Sequence, residues 1–458
     1  MRHIKILKEL LNLNRHHASP DMDIAIKKLC KVYNGNIDEH YEDPSLTWKI
    51  PPGYKVIKGE LKNSKGELIC SHEINPMHLW PYSPSFSGIV NYHELKKRIL
   101  VDFERPDAIL FHFRNQFRFW KAEWGFSLNV KQFSMLDQND KFSVDIKTEF
   151  YSAPIRQFVK NKPKGNKNLI LVAHLDHFRQ LNDGLGSAIL NNEVVLDLDG
   201  KLDNLNLCSL NSVEIVGSVY FLKGNNLNFS NTVAAISTNG LTLEGNFIFQ
   251  LSGKKDSQIN KIIKLLHLVY EKNSKLEKFR EGWGNDEIAF EVPGVSIPCV
   301  SVHRGPHENY HTHLDDFSKF SDKAFLESKN LLKNIITSLD QNYNIEIKNW
   351  DGLICLSNPD INLYIEPLRI SGIMQESNIK DLWFLNNLPL YEIEYLKENS
   401  HRVISFTNKF QSYLSHNYNT TIVDIAFEFS LPINFVKGYF KKLEDMDFIS
   451  LVYKDLDF

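Results

Sequence analysis

The middle of the chain alternates two kinds of pattern, and this alternation limits the fold more than any other feature. Short apolar runs without polar alternation are typical of strands buried on both faces of a parallel sheet. Such runs predict strands at residues 169–173, 213–222, 233–237, 247–251 and 298–302. Between them, residues 258–271 and 322–339 place apolar side chains on one face of a helix. Strands that alternate with helices predict an α/β sandwich.

Different patterns flank this region. Residues 4–13 and 23–33 predict short helices, and the β-branched and aromatic runs of residues 51–153 are separated by turn signals. Residues 421–429, 433–443 and 448–454 predict helix, turn, helix and strand, the pattern of a winged helix, with Pro432 starting the second helix. The predicted units are a discontinuous α/β domain (1–50 and 154–345), an inserted small β domain (51–153), a connecting segment (346–397) and a winged-helix domain (398–458).

Charge argues against binding to nucleic acid. The formal net charge of the chain is -3, so no excess of positive charge is available for a phosphate backbone. From His401 onward the chain has six Lys and Arg residues and seven Asp and Glu residues. A winged helix that reads DNA needs a basic face. We therefore expect the winged helix to pack or to contact protein.

The cysteines and the N-terminus indicate a cytoplasmic protein. Five cysteines lie far apart without a CxxC pair, so neither a disulfide framework nor a thiolate zinc site is predicted. Lys5, Lys8 and Glu9 interrupt the first apolar run before it reaches signal-peptide length. No run approaches the roughly 18 apolar residues of a membrane span, so we expect no membrane association.

The segment that begins at Leu171, LVAHLDHFRQLNDGLGS, carries the strongest chemical signal. A buried strand is predicted to end at His174, and the loop after it holds Asp176, His177 and Asp183. Ligands bind at the carboxyl ends of strands in open α/β sheets. Imidazole and carboxylate together are ligands of zinc and similar metals. These residues therefore predict a metal site.

A second segment, VEIVGSVYFL, places Glu214 in an otherwise apolar run that is predicted to be a strand. Burying an unpaired carboxylate costs several kcal/mol, so Glu214 lies at an exposed strand end or is kept for a purpose. One purpose is to act as general base beside a metal-activated water. The residues alone leave both interpretations open.

A third segment combines acidic residues with a cluster of histidines. Asp286 and Glu287 precede a predicted strand, and Ser321 is predicted to cap the helix that follows the cluster. Loops after buried strands commonly carry binding residues, so this loop suits a metal ligand. The histidines and the acids that follow them are His303, His307, His311, His313, Asp315 and Asp316.

In this order, the three segments resemble the zinc aminopeptidases of the bacterial leucyl aminopeptidase and glutaminyl cyclase superfamily. The matching motifs are His174-Leu175-Asp176, Asp183, Glu214 with Gly217-Ser218, Asn285 to Phe290, and Tyr310-His311-Thr312 with Asp315. Nearly the whole chain is similar to a bacterial aminopeptidase-like family with an inserted β domain and a closing winged helix. That closer resemblance rests on His177, Asn182-Asp183 and Trp124-Gly125-Phe126.

The resemblance implies a three-layer α/β/α zinc-peptidase core with a mixed sheet. It implies His174, Asp183 and His311 as metal ligands, Glu214 as general base, and Asp176 as a residue that orients an imidazole. His177 and His313 are alternative ligands or lie just outside the ligands, and the shortened loop leaves open that His177 replaces His174. Asp286, Glu287 and Tyr310 are candidates for substrate binding. One Zn²⁺ per chain is expected, because Ile215 replaces the family's second glutamate.

The function that follows is a zinc-dependent aminopeptidase or amidase acting on a small peptide or amide conjugate. The alternatives are a non-catalytic metal- or ligand-binding protein with the winged helix as interaction module, and amide cyclisation as in glutaminyl cyclase. Trp80, Trp120 and Trp124 belong to the inserted domain, which would limit access to the site, but aromatic residues more often form core. The substrate is not predicted, and a homo-oligomer is left open.

Overall fold

A large mixed sheet forms the centre of the computed structural model, which describes residues 2–161, 167–224, 231–282, 284–365 and 388–453. The strands are β1 (Asn36–His40), β2 (Gly53–Lys62), β3 (Leu68–Ser71), β4 (Phe86–Asn91), β5 (Ile99–Leu100), β6 (Phe126–Ser127), β7 (Lys141–Tyr151), β8 (Ile155–Lys160), β9 (Asn168–His174), β10 (Asn206–Ser212), β11 (Thr232–Asn239), β12 (Asn246–Gln250), β13 (Lys275–Glu277), β14 (Cys299–Gly305), β15 (Asn344–Ile347) and β16 (Ile449–Val452). The helices are α1 (Arg2–Leu11), α2 (Pro20–Tyr33), α3 (Tyr92–Lys96), α4 (Arg114–Phe117), α5 (Val130–Phe133), α6 (Leu185–Leu198), α7 (Val216–Gly224), α8 (Gln258–Val269), α9 (Glu287–Phe290), α10 (Asp322–Asp340), α11 (Leu390–Glu398), α12 (Ser400–His416), α13 (Ile422–Phe429) and α14 (Ile433–Asp445).

The central sheet has eight strands in the order β1-β8-β10-β9-β11-β14-β12-β13. Its four middle strands, β10, β9, β11 and β14, run parallel to one another, whereas β8 and β12 pair antiparallel with them. The chain passes from β9 to β10 on one side and later to β11 on the other. The carboxyl ends of β9, β10 and β11 therefore meet at one edge, where ligands bind in open α/β sheets.

Helices cover both faces of this sheet. On β9, Leu169 and Leu171 pack with α6, α8 and α10, whereas Ile170 and Val172 pack with α7 and α9. Successive side chains of a strand point to opposite faces, so a fully apolar strand must have a helical layer on each side. The predicted α/β fold with a mixed sheet is confirmed.

The strand predicted at residues 213–222 is wrong. Those residues form the turn after β10 and the helix α7, and the strand that precedes the turn is β10. Two properties misled the prediction: a short apolar run does not distinguish a buried helix from a buried strand, and β10 carries the buried polar residues Ser209, Asn211 and Ser212. Glu214 therefore lies between strand and helix, not within a strand.

Residues 53–151 contain a second sheet, which is antiparallel and has the order β3-β2-β7-β4. It has an apolar cluster of its own that includes Leu61, Phe126 and Phe142. Trp80 and Trp124 are buried, as expected of core aromatics, but Trp120 is 60% exposed. The helices α1 and α2 lie elsewhere and pack on the central sheet with β8 and α6.

The C-terminal elements follow the predicted order of helix, turn, helix and strand in α13, α14 and β16. The strand β16 pairs with β15, and α13 and α14 share one apolar cluster with α8 and α10. The assignment of a winged-helix domain stays a prediction, and residues 366–387 of the connecting segment lie outside the described residues. Among the described helices, none is long and apolar enough to cross a membrane. The five cysteines are not joined in disulfides.

Asp424 connects the C-terminal helices to α8. Its carboxylate accepts a hydrogen bond from the backbone N–H of Thr421, the residue that caps α13. It also accepts hydrogen bonds from Gln258 Nε2 (3.0 Å) and Lys261 Nζ (2.6 Å). Burial raises the pKa of Asp424, but these partners outweigh burial and lower it. We expect Asp424→Asn to reduce the free energy of unfolding by about 1–3 kcal/mol at neutral pH.

We also expect the difference in free energy of unfolding between the wild-type protein and Asp424→Asn to depend on pH. A carboxyl group with a lowered pKa stabilises the fold above its unfolded pKa of about 4 and loses that effect as the pH falls through its folded pKa. Denaturant unfolding at pH 7 and at pH 3 should therefore show the difference at pH 7 and a smaller one at pH 3. Glu428→Gln, on the exposed face of α13, is the matched control and should change little. An equal loss at both pH values would contradict a role for the charge.

Candidate metal centre

Four candidate residues meet at the carboxyl edge of the central sheet. His174 ends β9, Glu214 follows β10, and His311 lies in the loop after β14. Asp183 lies immediately before α6, in the loop that follows His174. Because the middle strands are parallel, residues distant in sequence reach one edge. The predicted ligands are thus brought together.

Asp183 is the centre of the cluster. Its Oδ1 lies 3.3 Å from His174 Nε2, and its Oδ2 lies 2.9 Å from His177 Nδ1 and 3.1 Å from His311 Nε2. His174, His177 and Asp183 are fully buried, and each places a ligand atom within 4.8 Å of the others. Of the two alternative ligands named from the sequence, His177 lies in the cluster.

Unpartnered atoms test whether these residues fit a metal ion. Among the described residues, no hydrogen bond of acceptable geometry reaches Asp183 Oδ2, either ring nitrogen of His177, or His311 Nε2. Buried polar atoms are rarely left without a partner. In a tetrahedral zinc site with bonds of about 2.1 Å, neighbouring ligand atoms are separated by about 3.4 Å. The separations of 2.9–3.3 Å around Asp183 are close to that value, so the donor set fits zinc.

The charges of the cluster are strongly coupled. Burial lowers the pKa of His177, but the charge of Asp183 and the contacts with Asp183 and Glu214 together outweigh burial and raise it to about 10. The pKa of His174 also rises well above its usual range, because its contacts with Asp183 and Asp286 and the charges of Glu214 and Asp183 together outweigh burial. The same imidazoles outweigh burial at Asp183 and hold its pKa well below 3.8. The site therefore concentrates negative charge that needs a cation, and a metal would take the place of the imidazole protons.

Glu214 reaches the cluster from the turn between β10 and α7. Its Oε2 lies 3.4 Å from His177 Nε2, and 14% of its side chain is exposed. Burial raises the pKa of Glu214, but the contact with His177 and the charges of His177 and His174 together outweigh burial and lower it. The carboxylate is thus charged, beside the cluster, and open to a small reactant.

The backbone around Glu214 is held in a strained conformation. The next residue, Ile215, has φ of 58°, which is rare for a β-branched residue. Two carboxylates hold the turn: Asp176 Oδ1 accepts a hydrogen bond from Glu214 N (3.0 Å), and Asp286 Oδ1 accepts one from Ile215 N (2.9 Å). Strained residues persist only where the surroundings enforce them, and they cluster at functional sites.

Asp176 contacts an imidazole other than the expected ones. Its Oδ2 lies 3.5 Å from His17 Nδ1 and 3.5 Å from Gln116 Nε2. The carboxylate beside a candidate ligand is instead Asp286, whose Oδ2 lies 3.8 Å from His174 Nδ1. Asp176 therefore holds the backbone of Glu214, and Asp286 lies on the outer side of His174.

The remaining candidates have different surroundings. Glu287 is buried, accepts a hydrogen bond from Arg280 (2.8 Å) and accepts two from Asn285 N. Tyr310 stacks on His311, with ring centroids 3.8 Å apart. His313 Nδ1 accepts a hydrogen bond from Ile109 N (3.0 Å) and does not contact Asp183. Tyr310 is therefore near the cluster, whereas His313 joins the loop after β14 to Ile109.

Asp315 fixes the loop that carries Asp183. Its carboxylate accepts hydrogen bonds from the backbone N–H groups of Asn182 (3.0 Å) and Asp183 (2.9 Å), and from Asn182 Nδ2 (3.0 Å). His307 Nε2 lies 3.5 Å from the same carboxylate. On the other side, Asn239 at the end of β11 donates from Nδ2 to Asp183 Oδ1 (3.0 Å). The central carboxylate is therefore positioned before any ligand arrives.

Two aromatic residues, Phe111 and Phe113, form a wall over the cluster. The ring of Phe111 lies against His177 and His311 at centroid distances of 5.2 and 5.5 Å, and Phe113 lies 5.3 Å from His311. Phe111 N donates a hydrogen bond to His311 O (2.8 Å), which ties the two loops together. An apolar wall excludes water and strengthens electrostatic interactions at the site.

Arg15 supports the loop that carries His177 and Asp183. It is fully buried and donates hydrogen bonds to the carbonyl groups of Leu175 (2.8 Å) and His177 (2.9 Å), and also to that of Leu10. Burial lowers the pKa of this guanidinium to about 10, so it stays charged at neutral pH. The segment that holds His177 therefore depends on a residue from the N-terminal region.

We expect Arg15→Met to reduce the free energy of unfolding by about 3 kcal/mol, because two or more buried carbonyl groups lose their donor. Zinc should also bind more weakly, since the loop that carries His177 loses its anchor. Thermal unfolding and zinc titration measure the two effects. Lys27→Met, at an exposed position on α2, is the control. Unchanged unfolding in Arg15→Met would contradict this role.

Several of these residues were not predicted. Arg15 and His17 belong to the run Arg15-His16-His17 just before Ser19, which caps α2, and three titratable residues in a row were the available signal. Asn239 ends a buried strand in the same way as His174, and that position was its signal. Phe111 lies in an irregular loop, and the sequence offers no comparable signal for it.

Part of the chain is similar in sequence to known proteins. Residues 46–342 match the family described as "Domain of unknown function (DUF4910)". A curated Clostridium acetobutylicum protein, provisionally named a polysaccharide biosynthesis protein with aminopeptidase-like domain, is 22% identical over 298 residues. The aligned region covers 64% of this chain and 67% of that protein.

Solved structures confirm the fold. The crystal structure of a provisionally named peptidase from Clostridium acetobutylicum has a TM-score of 0.75 at 17% identity, and the match covers 98% of this chain and 96% of that one. A zinc aminopeptidase from Bacillus subtilis has a TM-score of 0.53 at 10% identity and covers 74% of this chain and 94% of that one. The expected aminopeptidase-like fold is confirmed. Because the family match spans more than half of its length, the chain belongs to the DUF4910 family.

Proposed function

We propose that this protein is a zinc-dependent amidase or aminopeptidase that hydrolyses an amide bond of a small substrate. The observation that carries the proposal is the Asp183 carboxylate with three imidazole nitrogens within 3.3 Å and Glu214 on the far side of His177. A carboxylate and imidazoles with unpartnered atoms favour a metal, and the free carboxylate beside them favours proton transfer.

Asp183 and two imidazoles are the proposed ligands of one zinc ion. His177 belongs both to the group of mutually close ligand atoms and to the group of unpartnered atoms, so we assign it as one ligand. His174 and His311 are the candidates for the third. When bound, zinc supplies Lewis-acid chemistry, which polarises a carbonyl group and makes water more acidic.

Glu214 is the proposed general base. Its carboxylate takes a proton from the attacking water, whose oxygen bonds to the amide carbon. The same carboxyl group then gives that proton to the leaving nitrogen as the C–N bond breaks, so Glu214 ends as it began. Asp176 and Asp286 keep Glu214 in place through the backbone of the turn.

The surroundings favour small substrates. The aromatic wall of Phe111 and Phe113 lies over the cluster, and a cavity of about 610 Å³ opens beside His311. Ligand sites for small molecules commonly have volumes of about 300–1,000 Å³.

The test is turnover by zinc-loaded protein on a panel of aminoacyl amides, short peptides and N-acyl amino sugars, the last because the Clostridium relative is named for polysaccharide biosynthesis. Release of the free amine supports hydrolysis, and a cyclised product would indicate a cyclase instead. Zinc binding without turnover of any amide would favour a non-catalytic binding protein.

Single variants identify the third ligand. His174→Ala and His311→Ala are compared for zinc content with His313→Ala, which lies outside the cluster. The ligand variant should lose most of its zinc, and the other two should retain it. Zinc loss in His313→Ala to the same extent would contradict the assignment.

A further inference from the structure

The cavity beside His311 has a strongly positive lining. Its walls include Lys97, Arg105, Arg114, Arg118 and Lys121, whereas Glu123 is the acidic side chain among them. The chain as a whole has a formal net charge of -3, so this concentration of cations does not reflect the composition. A cleft lined by one sign of charge attracts ligands of the opposite sign.

The cations of the cavity are largely free to bind a ligand. Arg105 is occupied, since it pairs with Asp102 (2.7 Å) and donates to the carbonyl groups of Glu308 and Tyr310. Lys97, Arg114, Arg118 and Lys121 form no ion pair with any described residue. Four unpaired cations therefore face one carboxylate.

The two free arginines lie on a segment that is held in place. Arg114 begins α4 and Arg118 follows it, and between them Asn115 is buried. Asn115 Nδ2 donates to the carbonyl groups of Pro81 (2.9 Å) and Glu123 (2.8 Å). Guanidinium groups on a positioned backbone suit two-point binding of a carboxylate or phosphate.

The cavity borders the Asp183 cluster at His311. Tyr310 and His311 form part of its wall, and His311 Nε2 is 3.1 Å from Asp183. A molecule in the cavity therefore lies against His311 as well as against the cations. Phe113, which lies against His311, is also part of the lining.

We propose that the substrate is a small amide with an anionic group, a carboxylate or a phosphate, remote from the bond that is cleaved. The anion binds Arg114 and Arg118 while the amide lies beside His311 and Glu214. This inference rests on the proposed hydrolase function for the position of the amide, but the anion site itself requires only the cavity and its cations.

The first test compares amides that differ only in a neutral, cationic, carboxylate or phosphate tail. The wild-type protein should prefer an anionic tail by at least about tenfold in kcat/KM, since hydrogen bonds to charged groups are the stronger ones. Arg114→Gln with Arg118→Gln should remove this preference, so that this variant cleaves anionic and neutral amides with similar kcat/KM. The carboxylate and phosphate tails show which anion is preferred.

Lys131→Gln with Lys147→Gln removes the same charge at exposed positions outside the cavity and is the matched control. That variant should keep the preference. Equal kcat/KM for neutral and anionic tails in the wild-type protein would overturn the anion site. A preference that survives in the arginine variant would do the same. In both cases the amidase proposal stands.

Calorimetry with succinate and inorganic phosphate tests the site without turnover. Saturable binding that weakens at least about tenfold in the arginine variant, but persists in Asp183→Asn, supports the anion site even if no amide is cleaved. No saturable binding to the wild-type protein, or equal binding by the arginine variant, overturns it. Failure of the proposed function is thereby distinguished from failure of this inference.

Discussion

Glu214→Gln is expected to lower kcat by about 10²–10⁴-fold, the range that a positioned general base contributes. Glutamine has nearly the same shape as glutamate but does not accept the proton of the attacking water. The pKa of Glu214 is lowered by His177 and His174, so the wild-type residue is charged and ready to accept that proton.

The zinc content separates a catalytic role of Glu214 from a structural one. Since Glu214 is not among the proposed ligands, Glu214→Gln should retain zinc and unfold at a temperature near that of the wild-type protein. Glu308→Gln, an exposed glutamate on the histidine loop, is the control and should keep full turnover. Turnover of the Glu214 variant within tenfold of the wild-type rate would remove Glu214 from the mechanism.

Asp183→Asn is also expected to abolish turnover, but through loss of the zinc site rather than of the general base. Its carboxylate is the group shared by His174, His177 and His311, and an amide is a much weaker zinc ligand than a carboxylate. Loss of residues that merely support metal ligands costs 10–100-fold in affinity. We therefore expect Asp183→Asn to weaken zinc binding by more than about 100-fold and to abolish turnover.

Titration with a competing chelator measures this affinity. Asp107→Asn is the control, because Asp107 is exposed and is not part of the Asp183 cluster. An Asp183 variant that binds zinc as tightly as the wild-type protein would show that the cluster around Asp183 is not the metal site.

The sequence predicted those site residues that lie close together along the chain. His174, His177 and Asp183 lie on one strand end and the loop that follows it, so sequence spacing alone indicates that they are close. The helices α8 and α10 have apolar faces with helical spacing and begin at serine caps, and both were predicted. Where one pattern determines the structure, the sequence is sufficient.

Two kinds of feature were beyond the sequence. The apolar run after Val213 was read as a strand, because periodicity does not separate a short buried helix from a buried strand. The partners of Asp176 and Phe111 come from segments far along the chain, and pairings between distant segments leave no local pattern. Arg15 is similar: a charged residue after a helix reads as solvated, yet the fold buries it beneath the metal loop.

The most direct test of the account is the position of the metal. Anomalous X-ray diffraction at the zinc edge, on crystals of protein purified without chelators, locates zinc ions independently of activity. We expect one zinc per chain, within about 2.0–2.2 Å of ligand atoms of His177 and Asp183. Zinc at another position, or none at this site after crystals are soaked with zinc, would contradict it.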